Sequence, residues 1–346
     1  MKISLLITYY QQERFVRESM ESLLALKKPE EWEILIGDDG STDGTVAAAQ
    51  SYVDRDPEHI RLFIMDRDPS RKYTAVERAG KNRLNLLRHA SGDCYCLLDG
   101  DDFYSETDFL PQALSILKEH PEVTIVAFDT WMYREGQPRT PKRAGKREPV
   151  FLHRRKYLRW QYTHAGACVY RNFHGPENFA LLDRLDFFDD NEIILNAMAA
   201  GKMVRIHLPV YAYRQEDVSL YHSILPGERA ALNVAGMGIA LQIMGPSWAK
   251  DLKARYATAV VMAWMLRKNL RSQVPPDRFR TYLEICRRGE FDMGEQLLCF
   301  PDQKPDIQRR IRKWVFQVAL ESPPRILFAW FQIHRKPKAI PAESSA

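Results

Sequence analysis

The chain has 346 residues, 45% hydrophobic and 27% charged, an ordinary globular composition with length for about two domains. Its net charge of +5 is localised: residues 301–346 hold nine Lys/Arg against four Asp/Glu, and the first 300 are balanced at 41 each, which excludes a uniformly basic nucleic-acid binder. No apolar run approaches the ~18–20 residues that span a bilayer, no signal-peptide pattern precedes the first strand-like run, and an odd five cysteines without metal-site spacing fit a reducing cytoplasm.

Residues 3–8 read as the first strand, and the stretch after it places Phe15, Val16, Met20, Leu23 and Leu24 on one helical face. Residues 33–37 read as a second strand, ending at Asp38-Asp39-Gly40-Ser41-Thr42-Asp43-Gly44-Thr45. In that run, Ser41 or Thr42 is the expected cap of the next helix. A third strand is expected at 60–65. A fourth, at 95–98, ends at Asp99-Gly100-Asp101-Asp102. Cys94 and Cys96 share one face of it and read as core. Residues 107–120 read as a helix ending before Pro121, and 123–128 as a fifth strand. This alternation predicts an α/β fold with a mainly parallel sheet flanked by helices.

Ligands of such sheets bind beyond the carboxyl ends of the strands, so both acidic clusters are expected at one rim. Carboxylates crowded there repel unless a positive group joins them, and a divalent metal holding a phosphate-bearing ligand is the expected one. Residues 134–149, rich in Arg, Lys, Pro and Gly, are either a basic lid or an exposed connection. Further strands are expected at 164–171 and 203–213. From about 226 the pattern is helical, broken at Pro275-Pro276, Pro301, Pro305 and Pro323-Pro324.

In order along the chain stand residues 7–15, Asp38 to Thr45, Gly92-Asp93 with Leu97 to Asp102, Asp189-Asp190 and Tyr213-Arg214-Gln215 with Ser219. Together they resemble the family 2 inverting glycosyltransferases of GT-A fold over roughly residues 1–222. The resemblance implies a catalytic nucleotide-sugar domain at 1–222; the helical pattern that follows gives a helical domain at 223–336, and 337–346 reads as a tail. It implies a nucleotide pocket shaped by Thr8, Tyr10, Glu13 and Asp39, with Asp39 accepting the imide N–H of uracil. By the same resemblance, Asp101 ligates Mn²⁺ or Mg²⁺, and Asp99 contacts the ribose or the metal's water. Gly100 lets the backbone approach the nucleotide. Asp190 is the general base, and Lys81 and Arg83 are diphosphate contacts or solvated helix residues. Asp102 either belongs to the cluster or caps the next helix, and Asp189-Asp190 also suit a helix start.

The chain departs from the family at Thr8 (usually Pro), Gln11 (usually Asn), Asp189 (usually Glu) and Glu216 (usually His, a metal or diphosphate contact). His222 is a candidate substitute. The family's Asn-x-Gly stretch is not evident in 67–80. His164, in a segment that matches the sugar and acceptor pocket, carries no assigned role.

The expected activity is inverting, metal-dependent sugar transfer from a nucleotide-diphospho-sugar, UDP-linked, to a glycan or lipid-linked hydroxyl in bacterial surface-polysaccharide or lipopolysaccharide assembly. A catalytically silent nucleotide-sugar-binding or scaffold protein is the alternative. A Rossmann-type oxidoreductase is disfavoured because no Gly-x-Gly-x-x-Gly follows the first strand. The C-terminal basic helices, with Arg309, Arg310, Arg312 and Lys313 and an aromatic run at 328–331, suit either an anionic inner membrane surface or packing on the catalytic domain or a second subunit.

Overall fold

The computed structural model describes residues 1–68, 70, 75–136, 148–215 and 224–321. It divides into two compact units, Met1–Arg154 with Tyr162–Gln215, and Arg155–Gln161 with Glu216–Ala346. Glu216, Ser219, His222, the aromatic run 328–331 and most of the 134–149 segment lie outside the described residues.

The first unit begins with β1 (Ile3–Tyr9), α1 (Glu13–Leu24), β2 (Trp32–Asp38), α2 (Thr45–Arg55), β3 (Ile60–Ile64), α3 (Ala75–His89) and β4 (Cys94–Asp99). There follow β5 (Phe103–Tyr104), α4 (Phe109–Glu119), β6 (Val123–Tyr133), β7 (Val150–Leu152), β8 (Cys168–Arg171), α6 (Pro176–Leu182), α7 (Asp190–Ala200) and β9 (Lys202–Arg214); α5 (Arg154–Trp160), between β7 and β8 in the chain, falls in the second unit from Arg155 on. The strands form one sheet in the order β3-β2-β1-β4-β8-β6-β9-β5, with β7 on β9.

The expected parallel pairing holds through β3-β2-β1-β4. Beyond β4 the sheet is mixed, because β8 runs antiparallel between β4 and β6. Ile3, Leu5, Ile7 and Tyr9 of β1 join Ile34, Ile36, Cys94, Cys96 and Leu98 in one buried layer, covered by Val16, Met20 and Leu23 of α1. Each such aliphatic side chain contributes about 1.5–3 kcal/mol when fully buried.

Register decides where the acids stand. Tyr9 pairs with Asp38 and Thr8 with Asp99, so both clusters end at one rim, either side of β1. The end of β1 also ties down both loops: Tyr9 O accepts from Asp39 N at 3.0 Å and Thr8 O from Gly100 N at 3.0 Å.

The second unit contains α8 (Pro226–Met244), α9 (Ala249–Arg255), α10 (Ala257–Leu266), α11 (Pro276–Arg288), α12 (Asp292–Leu298) and α13 (Pro305–Glu321). α8 is apolar nearly all round and accordingly buried. Residues 155–161 belong to this unit because buried Asp251 holds Arg155 and Arg159, each at 3.3 Å, and Arg255 donates to Gln161 O at 3.2 Å. Among the described residues no helix is long and apolar enough to cross a membrane.

Candidate active site

The first acidic loop folds back on itself. Gly40, at φ +76°, turns the chain so that Ser41 N and Oγ both donate to the buried Asp38 carboxylate, at 2.7 and 2.6 Å. Ser41 and Thr42 therefore do not cap α2. The N-cap is Gly44, and Asp43 before it accepts from Thr45 N, the first residue of α2, at 3.1 Å. Gln11 brackets the loop from β1's side, its Oε1 accepting from Thr42 N and Asp43 N at 3.0 and 3.1 Å, and Glu13 accepts from Gly44 N at 3.1 Å. Gln11 has φ +53°, a conformation that favours Asn, the family's usual residue there.

Asp39 is buried and ion-paired with Arg78, and Arg67 Nη1 lies 3.7 Å from it. The Arg67 guanidinium also sits 4.0 Å above the Tyr10 ring, which is 42% exposed. Two arginines that the motif reading did not anticipate, Arg67 and Arg78, thus meet Asp39, and Arg67 joins it to Tyr10; Thr8 stands at the end of β1 between Gly37 and Asp99.

The second acidic loop is held by β9. Asp102, expected as a cluster member or helix cap, caps nothing. Its Oδ2 accepts from Tyr211 Oη at 2.7 Å and its Oδ1 from Arg214 N at 2.7 Å. Burial and the neighbouring Asp101 and Asp99 charges push its pKa well up. Arg214 Nε donates to Asp101 O at 2.7 Å, its other end pairs with Glu18, and the rings of Phe15, Tyr133 and Phe103 surround it at 4.8, 5.0 and 5.7 Å. Gly100 is required by packing, since a Cβ there would run into the Tyr9 ring.

The start of α7 faces both loops. Asp189 is its N-cap, with the Glu192 carboxylate accepting Asp189 N at 3.3 Å, and Asp190 is its first residue. Arg83 of α3 is buried among three carboxylates. It pairs with Asp189, donates to Asp99 at 2.6 Å and lies 3.8 Å from Asp190 Oδ1. Burial opposes its charge, but these three acids hold its pKa above the usual value. Burial raises Asp190 to about 6; His164 and Arg83 pull it down, while Asp189 and Asp99 add to the rise. Its side chain is still 24% exposed, enough for a substrate hydroxyl to reach it.

His164 Nδ1 accepts from Gly166 N at 3.1 Å, and its Nε2 sits 3.3 Å from Asp190 Oδ2. The ring stacks on Tyr211 at 4.6 Å.

Residues 4–174 match the model of glycosyl transferase family 2. The chain carries a family 2 glycosyltransferase domain. It is 30% identical to EpsE of Bacillus subtilis over 134 residues, covering 39% of this chain and 45% of EpsE. It is 24% identical to Rv1520 of Mycobacterium tuberculosis over 280 residues, 77% of this chain and 74% of that one. It is 26% identical over 127 residues to poly(ribitol-phosphate) beta-N-acetylglucosaminyltransferase TarS of Staphylococcus aureus, 36% of this chain and 21% of TarS. The structure of TarS 1–349 with UDP-GlcNAc superposes with TM-score 0.58 at 16% identity, over 95% of this chain and 90% of that one. At that identity the likeness establishes the GT-A-type fold alone.

In this glycosyltransferase domain the sequence-expected residues separate into groups. Tyr10, Glu13 and Asp39 lie at the first loop, and Thr8 at the strand end between the two loops; Asp99, Gly100 and Asp101 form the second; Asp190 faces the second. Lys81 is exposed, and two positions along a helix do not share a face, so α3 directs Arg83, not Lys81, into the acids. Arg83 is buried there, which corrects the reading of it as a solvated helix residue. Sequence reasoning missed Arg67, Arg78 and the placement of His164. The one available signal was the Arg-rich spacing on α3, which periodicity alone could not assign to a site.

The donor set suits a divalent cation. Asp99, Asp102 and His164 bring ligand atoms within 4.8 Å of one another, and burial first, then the Asp101 and Asp99 charges, raises the pKa of Asp102. Both Asp102 oxygens already accept hydrogen bonds, and His164 Nδ1 is occupied.

Proposed function

We propose that this glycosyltransferase inverts the anomeric centre of a UDP-sugar as it transfers the sugar to a hydroxyl of a glycan or lipid-linked acceptor, in bacterial surface-polysaccharide or lipopolysaccharide assembly. The observation that carries the reading is Asp190. It is one carboxylate, raised to about 6 by burial and set beside Asp99, where it can take a proton near neutral pH. The acceptor proton passes to Asp190 as the acceptor oxygen bonds to the anomeric carbon. The bond from that carbon to the diphosphate oxygen breaks, and its electron pair leaves with UDP. A divalent Mn²⁺ or Mg²⁺ held by Asp101 and Asp99 would supply charge compensation for the leaving diphosphate. Arg83 supplies fixed positive charge beside the same acids, and Arg214 holds the Asp101 backbone in place.

UDP is favoured by Asp39, a buried acceptor at the rim with Tyr10 as a stacking face beside it, and by the UDP-GlcNAc complex of TarS. Polysaccharide assembly is favoured by likeness to TarS. A panel of UDP-, GDP- and CMP-sugars with Mn²⁺, read by thermal shift, tests the donor. UDP-sugars at 100 times Kd are expected to stabilise by about 2.7 kcal/mol. A larger shift from a GDP-sugar overturns the assignment of Asp39.

The membrane reading rests on α13. Ile311, Val315 and Val318 are buried, whereas Arg309, Arg312, Lys313, Phe316 (63% exposed) and Leu320 (62% exposed) recur at helical spacing on the outer face. The protein is expected to co-sediment with anionic vesicles at low salt and to ignore neutral ones. Changing Arg309, Arg310, Arg312 and Lys313 to Gln is expected to release it, each residue being worth about 1 kcal/mol near such a surface. Failure of the wild type to co-sediment leaves this face to a second subunit or to packing.

A further inference from the structure

We propose that His164 is the positioning residue of the general base: its Nε2–H faces Asp190 Oδ2 and fixes the carboxylate so that Oδ1 takes the acceptor proton. The proposal rests on Asp190 as base and adds how that base is oriented.

The tautomer follows from the ring's other nitrogen. Gly166 N donates to His164 Nδ1 at 3.1 Å in a buried turn, so in the neutral ring the proton is on Nε2. The turn holds its geometry through Gly166, where a Cβ would strike the Tyr211 ring. The imidazole is stacked on Tyr211 with an interplanar angle of 27° and lies 5.3 Å from Tyr213, so it has little room to swing. Nε2 then stands 3.3 Å from Asp190 Oδ2. Asp190 Oδ1 is 3.8 Å from Arg83 Nη2, beyond hydrogen-bond reach, and is left as the proton acceptor. Tyr211 ties the arrangement to the second acidic loop, since its hydroxyl accepts from Asp99 N at 3.3 Å and donates to Asp102.

The test uses His164→Asn, His164→Phe and His164→Gln in the full chain. Asn retains an acceptor for Gly166 but has no group at the Nε2 position; Phe retains ring stacking; Gln places an amide N–H near the Nε2 position. Asn and Phe are expected to lower kcat about 10- to 100-fold, below the 10²–10⁴ of the base itself, with donor KM and metal-dependent UDP affinity unchanged. Gln is expected to recover most of kcat. Adding His164→Asn to Asp190→Asn is expected to cost nothing further, because the histidine acts through the aspartate. Wild-type kcat in both Asn and Phe overturns the proposal, and so does an additive loss in the double variant. Loss of metal-dependent UDP binding in all three variants overturns it in favour of a metal ligand. Near-normal transfer by Asp190→Asn alone is the separate failure, that of the base assignment.

Discussion

Asp190→Asn is expected to bind the UDP-sugar as wild type does and to lose transfer by about 10²–10⁴-fold, because an amide cannot take the acceptor proton. Single-turnover transfer and UDP affinity measured on the same preparation check the two halves separately. The pH profile gives an independent reading. Asp190 acts only when ionised, and its pKa is raised to about 6. The logarithm of kcat/KM is therefore expected to rise with unit slope below about pH 6 and to level above it. The causes have opposite signs: burial, Asp189 and Asp99 favour the protonated form, while His164 and Arg83 favour the charged one. A limb near pH 4, the ordinary aspartate range, would mean that the base is an exposed carboxylate elsewhere. Near-normal transfer by the variant would do the same, with Asp189 next to be examined. The raised pKa also carries a stability consequence: its contribution is fully present below about pH 4 and is lost as pH rises through about 6.

Asp101→Ala is expected to remove the metal-dependent part of UDP binding altogether. The carboxylate and the diphosphate oxygens are each anionic, and the cation that bridges them loses its fixed end. Metal-independent affinity is expected to persist. UDP titrations with and without Mn²⁺ on wild type and variant give the difference directly. An unchanged metal-dependent gain would move the ligand set to Asp99, Asp102 and His164, the cluster whose donor atoms converge within 4.8 Å. The variant also takes a negative charge from beside Asp102, whose protonated state that charge favours. The hydrogen bonds from Tyr211 and Arg214 to Asp102 are expected to strengthen, so loss of UDP binding would not be a folding defect; thermal melting without ligand checks this.

Much of the site was legible because its pieces are local. Turn chemistry after an apolar run marks a strand end, and strand ends of a parallel sheet lie on one rim. That is enough to bring Asp38 and Asp39 beside Asp99 and Asp101, and β1 runs between them with Thr8 against Asp99 and Tyr9 against Asp38. The strand boundaries shift by a residue or so. β6 runs five residues past its apolar stretch, because β9 pairs along its length. The antiparallel insertion of β8 was not legible, since a four-residue apolar strand carries no sign of its direction.

Sequence by itself determined the α/β class, the two acidic clusters and their common rim, the family resemblance, and Asp190 at a helix start. These follow from periodicity, turn residues and short motifs, all read within a few positions. Only the tertiary structure decided what stands opposite each acid. Arg83 meets Asp189 across 106 positions, Tyr211 meets Asp102 across 109, and Arg78 closes on Asp39 from another element. His164 looked like any buried histidine until Gly166 fixed its tautomer and the fold set Asp190 against its other nitrogen. The physical reason is that a carboxylate's chemistry depends on burial and on charges within a few ångströms, and in a folded chain those neighbours come from distant segments.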